Sequence, residues 1–227
     1  MYEEISNFWD NIFENKKEIQ LKKPLPYKEI EKSLEWLSKD SKNVIEFGCG
    51  NGILILRCFY LGINSGLGID ISKKAIEASI KSAKLNNAKN FIFNNGGIET
   101  LYNSKDNSFD SAILSNILDN ISPKDAKLLL KELNRILKKD AKIFIKLNDF
   151  ISDKNILNNK ETFEKELEKN FYKETSGLYL YNISDNLFDE LISPYFEIED
   201  RFDIEFKEYN QKNRIWLLKN KKLFVRV

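Results

Sequence analysis

The chain has 227 residues, 42% hydrophobic and 31% charged, with 36 basic side chains against 35 acidic ones and no histidine. That mix belongs to a folded globular protein with room for one α/β domain, and it excludes a disordered chain. A net charge of +1 gives no general pull toward nucleic acid or anionic lipid, and the missing histidine removes the commonest general base and metal ligand.

The first ten residues, with Glu3, Glu4 and Asp10, carry acids where a secretory leader needs a basic and then an apolar stretch. No run approaches the roughly 18 apolar residues of a membrane span. Two cysteines, Cys49 and Cys58, suit a reduced, cytoplasmic setting better than a disulfide framework. Ile5, Phe8, Trp9, Ile12 and Phe13 recur at helical spacing, and Ile30, Leu34, Trp36 and Leu37 form a second set after Pro24 and Pro26. Residues 1–40 are thus expected to form a helical cap on a single domain.

From Val44 the pattern becomes a regular alternation. Buried strands are predicted at Asn43–Phe47, Gly66–Ile69, Asn90–Phe93, Phe109–Leu114 and Lys142–Leu147. Helices are predicted between them: Ile53 to Leu61, Lys73 to Asn86 behind the N-cap Ser72, and a third behind Ser122-Pro123. Strand and helix alternating over residues 41–150 argue for a parallel sheet with helices on both faces. Residues 151–227 read as a helical insert with scattered aromatics, then a strand pair at Phe196–Phe206 and Arg214–Leu218.

The most telling stretch is Glu46-Phe47-Gly48-Cys49-Gly50-Asn51-Gly52, followed by Gly68-Ile69-Asp70. A helix that starts directly after a strand aims backbone N–H groups and its positive dipole end at the carboxyl edge of the sheet. Asp70 lies 20 residues beyond Gly50, where a neighbouring strand would deliver a carboxylate to the hydroxyls of a ribose. A nicotinamide fingerprint is G-x-G-x-x-G; here the third glycine comes one residue early and Ile53 takes its place.

With Glu46 ahead of it, this loop resembles the first motif of class I S-adenosylmethionine-dependent methyltransferases, and Gly68-Ile69-Asp70-Ile71-Ser72 resembles their second. Gly96 to Leu101, Ser108 to Ile113 and Leu133 to Lys138 look like further family stretches in the right order. The resemblance implies a doubly wound, mostly parallel seven-stranded α/β sheet of Rossmann-like methyltransferase type, its last strand antiparallel, and S-adenosylmethionine as cofactor. Glu46 would hold the methionine amino group. The backbone of Gly48, Cys49, Gly50, Asn51 and Gly52 would lie against the methionine and ribose. Asp70 would clasp the ribose, Ile71 would pack on the adenine, and Ile98 would offer it a backbone N–H. Gly97 and Ser115 complete the expected cofactor set. Gly97 stands where the family carries an acid for the adenine amino group, which leaves that contact to be lost or taken over by Asn95 or Glu99; Glu99 on its own reads as a solvated loop acid. Asn120 replaces a histidine common in the family.

The expected reaction moves the sulfonium methyl to a small-molecule acceptor. Asn116, Asp119, Lys146 and Asp149 are the candidates for positioning that acceptor or taking a proton; no metal site is expected. An Asn-Pro-Pro-Tyr-like signature for base amino groups is absent after the fourth strand, and low net charge weakens a nucleic-acid acceptor. A cofactor-binding module without catalysis, and a methyltransferase acting on protein or RNA, are the alternatives.

Overall fold

The computed structural model describes residues 2–209 and 211–222. Its strands in chain order are β1 (Asn43–Phe47), β2 (Ser65–Asp70), β3 (Phe91–Asn95), β4 (Phe109–Ser115), β5 (Leu137–Asn148), β6 (Phe163–Glu168), β7 (Phe171–Glu174), β8 (Tyr179–Tyr181), β9 (Phe196–Phe206) and β10 (Gln211–Asn220). The α-helices are α1 (Tyr2–Phe13), α2 (Lys28–Ser38), α3 (Ile53–Tyr60), α4 (Lys73–Leu85), α5 (Pro123–Ile136), α6 (Asp153–Asn158) and α7 (Asp185–Ile192).

Seven strands form one sheet in the order β3-β2-β1-β4-β5-β10-β9. β1 pairs in parallel with both β2 and β4, and β5 continues the parallel set; β10 runs antiparallel between β5 and β9. The expected seven-stranded sheet with an antiparallel last strand is therefore the observed one. Its central strands are apolar on both faces because both faces are covered. Val44, Ile113 and Phe144 meet α2, α3 and α4 on one side; Ile45, Ala112 and Ile145 meet α5 and α7 on the other. Serine caps start four helices: Ser72, Ser122, Ser152 and Ser184 each accept a bond from a backbone N–H in the first turn. Strand order reverses between β1 and β4, and a crevice at the carboxyl ends of strands opens at such a point.

One expectation is corrected. The 151–192 segment is not a helical insert: short α6 and α7 flank a separate three-stranded antiparallel sheet, β6-β7-β8. Phe163-Glu-Lys-Glu-Leu-Glu buries only its first residue, Asn170 turns the chain at φ +63°, and Gly177 turns it again at φ +90°. Such turns close hairpins, and the short strands between them satisfy their backbones by pairing with each other. β5 is also longer than predicted, beginning at Leu137 directly after α5. Among the described residues, no helix is long and apolar enough to cross a membrane.

Candidate functional site

The glycine loop joins β1 to α3 at the crevice. Gly48, Gly50 and Gly52 have φ of +76°, +52° and +81°, a region L side chains rarely enter, so a loop with three such positions favours glycine at each. The Gly48 and Cys49 N–H groups both donate to Ile69 O, at 2.7 and 2.9 Å, which binds the loop to β2. Asp70, at the end of β2, accepts from Gly50 N and Ser72 N at 2.8 Å each. Burial pushes the Asp70 carboxyl above its usual range, and the Ser72 and Gly50 amides work against that rise. The structure thus brings Asp70 onto the loop, as the spacing predicted.

Glu46 is 2% exposed and lies beneath the loop. Gly52 has no side chain to cap α3, and Glu46 supplies the missing acceptor: Ile55 N donates to its Oε2 at 3.0 Å. Burial holds this carboxyl well above the ordinary carboxylate range. Cys49 turns into the apolar core, and burial raises its thiol well above the usual value, so it is packing rather than a nucleophile. Asn51 is half-buried in the same loop.

Beyond β3, Gly96 and Gly97 lead into a short 3₁₀ turn over Ile98–Asn103. Asn95 is spent on the backbone, donating to Asp70 O and Ile71 O at 3.0 and 2.8 Å. Glu99 is exposed, as expected of a loop acid, and its Oε1 accepts from Gly97 N at 2.7 Å. A Cβ at Gly97 would stand 2.7 Å from Glu99 Oε2. The Glu99 carboxylate thus occupies the space beside the Gly97 backbone that a side chain at 97 would need.

Helix α1 lies across this edge. Ser6 Oγ donates to Ile71 O at 3.0 Å, and Asp10 accepts from Ser72 Oγ and Lys74 N at 2.6 and 3.0 Å. A Cβ at Gly50 would come within 3.2 Å of the Phe13 ring; one at Gly48 would fall 1.9 Å from Ile117 Cδ1. The helix reaches further, through Tyr2 to Asp125 and through Glu4 to the Tyr179 hydroxyl at 3.4 Å. Of these contacts only the aromatic stripe of α1 is signalled by its spacing. Ser6, Asp10 and Ile117 were missed.

The acceptor candidates lie at the ends of β4 and β5. Ser115 ends β4 and pairs with Lys146; Asn116, at φ +54°, follows it. Asn116 accepts from Lys146 Nζ through its Oδ1 and donates to Asn148 Oδ1 at 2.8 Å. Asp119 is 2% exposed and accepts from Asn148 N at 2.7 Å and Asn120 Nδ2 at 3.2 Å. Burial raises the Asp119 carboxyl and lowers the Lys146 ammonium from their usual values. Asn213 of β10 also donates to Asn148 Oδ1, at 3.0 Å. Asn148 and Asn213 were not singled out, because their roles depend on a strand pairing that is remote in sequence. Asp149 is the one candidate left outside the cluster. It is exposed, and among the described residues its Oδ1 accepts from the adjoining Phe150 N, at 3.0 Å.

These residues fit an adenosyl cofactor: a carboxylate at the end of β2 held against the loop, a glycine loop whose backbone turns with positive φ, and the start of α3 beneath it. Among the described residues, no group of acids and cysteines is arranged to hold a metal ion.

A family model described as "Methyltransferase domain" matches residues 38–210. Among curated proteins, ribosomal protein L11 methyltransferase of Photorhabdus laumondii is 36% identical over 91 residues, covering 37% of this chain and 28% of that protein. The chain thus spans under a third of the length of the curated relatives it first matches. Among solved structures, a Pyrococcus horikoshii OT3 protein aligns with a TM-score of 0.69 at 21% identity, over 85% of this chain and 88% of its own. The Burkholderia thailandensis 1,6-didemethyltoxoflavin-N1-methyltransferase, solved with 1,6-didemethyltoxoflavin and S-adenosylhomocysteine, aligns at 0.66 and 12% identity, over 87% and 80%. The N-methyltransferase NodS of Bradyrhizobium japonicum, solved with S-adenosylhomocysteine, aligns at 0.65 and 10% identity, over 96% and 98%.

Proposed function

Since the chain belongs to the methyltransferase domain family, we propose that it moves the methyl group of S-adenosylmethionine to a small-molecule acceptor. The observation that carries the cofactor half is Asp70, drawn onto the glycine loop by Gly50 N and Ser72 N at 2.8 Å each. Each carboxylate oxygen keeps lone pairs for the two ribose hydroxyls. Glu46 takes the methionine ammonium, and Glu99 the adenine amino group in place of an acid at 97.

The cofactor supplies an electrophilic methyl on a sulfonium. What the chain adds is placement: attack must run in line with the carbon–sulfur bond, and orientation alone is worth up to about 7–11 kcal/mol in favourable systems. Asn116 and Ser115 stand at the end of β4 to position the acceptor, with Lys146 and Asp119 close behind. A small acceptor is favoured because α1 lies across the edge from Gly50 to Asp125 and Tyr179, which narrows the approach for a large partner. The toxoflavin enzyme named above, similar in fold, acts on a small molecule; the partial match to the ribosomal-protein enzymes supports a protein acceptor as the second reading.

Isothermal titration with S-adenosylhomocysteine tests the cofactor half. Asp70→Ala should weaken binding by about 1–3 kcal/mol through lost charged hydrogen bonds. An unchanged dissociation constant removes Asp70 from the site. A radiolabelled-methyl screen over metabolite, peptide and RNA pools tests the acceptor; label in peptide alone would favour the second reading.

A further inference from the structure

Two lysines on β5 allow an internal comparison. Lys142 and Lys146 are four residues apart on one face of the strand, each with its ammonium over an aromatic ring: Trp36 at 5.4 Å and Phe206 at 5.6 Å. Lys142 lies where α2 ends, and donates to the carbonyls of Trp36 and Lys39 at 2.8 and 2.6 Å. The open carbonyls of that helix end satisfy it. Lys146 lies at the opposite edge and, among the described residues, has one acceptor, the neutral Asn116 Oδ1.

An ammonium carries three donors, and withdrawing it from water is costly unless oxygens replace the water. Asp119 is the nearest carboxylate, yet the Asn116 amide stands between the two, its Nδ2 3.5 Å from Asp119 Oδ2. The Asp119 oxygens are already taken by Asn148 N and Asn120 Nδ2. Among the described residues, no carboxylate ion-pairs with Lys146. Its place also matters. It pairs with Ser115, the last residue of β4, and β4 is the strand beside the glycine loop's own β1. Phe206, beneath the ammonium, is braced edge-to-face by Tyr27, with ring centroids 4.6 Å apart and planes at 73°, which fixes an aromatic surface beside Lys146.

We propose that Lys146, framed by Asn116 and Phe206, anchors an anionic oxygen of the methyl acceptor, so that the acceptor is a small organic acid. This rests on the methyltransferase reading above and adds the charge of the substrate to it. Asn116 acts as a positioning residue: with its Oδ1 held by Lys146 and its Nδ2 by Asn148, the amide has one orientation.

The test is titration of the wild-type protein, saturated with S-adenosylhomocysteine, with benzoate and salicylate, each set against its neutral amide. The acids should bind about tenfold more tightly than the amides, the effect of one charge-assisted hydrogen bond. Lys146→Met should erase that preference and Lys146→Arg should retain it, with S-adenosylhomocysteine binding unchanged in both. Wild-type protein that binds the acids no better than the amides, including binding neither, overturns the proposal without any variant having to fold. So does a Lys146→Met protein that keeps the preference. If S-adenosylhomocysteine itself fails to bind the wild-type chain, the methyltransferase reading falls first and this inference with it.

Discussion

Glu46 shows most clearly how one residue serves two ends. As the stand-in cap of α3 it receives a single backbone hydrogen bond, and burial makes its ionised form costly. A carboxyl whose pKa is raised on folding stabilises the fold fully below its unfolded value, near ~4.3, and that contribution is lost as pH rises through the raised value. Glu46→Gln keeps an oxygen for Ile55 N and has no charge to bury. At pH 8 it should therefore raise the melting temperature, by roughly 2–4 °C for each kcal/mol relieved, and the gain should fade toward pH 4. Thermal melts across that range check the sign. The same variant should bind S-adenosylhomocysteine about tenfold more weakly, because an amide cannot pair with an ammonium. The glycines and Asp70 were legible in the sequence because their spacing alone places them on neighbouring strands. The contact of Glu99 with Gly97 N is not legible because it depends on the turn after β3, nor is the role of Asn148, whose partners come from two other segments.

Among the elements, α1 has the clearest consequence. It rests on the glycine loop and the start of α4 through Ser6, Asp10 and Phe13, while most of its outer surface is exposed. A helix held by a few polar contacts opens before the sheet beneath it does. Asp10→Ala removes the acceptor of Ser72 Oγ and Lys74 N, at a cost of about 1 kcal/mol. Amide hydrogen exchange should then quicken in α1 while β1 and β4 keep their protection. S-adenosylhomocysteine should also associate faster, as read by stopped-flow tryptophan fluorescence. Equal α1 protection in both proteins would show that Asp10 does not hold the helix. The β-strands and helices of residues 43–136 were predicted nearly to their ends, since each is a local apolar run between caps. The β6-β7-β8 sheet was not, because its strands are only six, four and three residues long and its turns rest on Asn170 and Gly177 rather than a proline.

For the whole molecule, acid sensitivity follows from three carboxylates. Burial works against each, but the hydrogen bonds they receive (Arg57 to Glu31, Ser72 to Asp10, Lys138 to Asp110) outweigh it and hold all three below their usual range. Stability from such groups is present above the unfolded pKa, near ~4, and is lost as pH falls through the lowered folded value. Acid titration by circular dichroism should thus show unfolding below about pH 4. Arg57→Met, which leaves Glu31 buried without its partner, should cost about 3–5 kcal/mol at neutral pH. The acids of the edge strand β9, among them Glu197, Glu199 and Glu205, keep that open edge from pairing with another chain. The position of β10 has a temporal meaning as well. It follows β9 in the chain yet lies between β5 and β9, so β9 has no strand to join until β10 has been made. The strands that carry the glycine loop and Asp70 can associate early in synthesis. The surroundings of Lys146 mature only when β10 threads into its gap, so the two halves of the site are born at different times. In refolding, pulse-labelled exchange should protect β1 and β4 before β10.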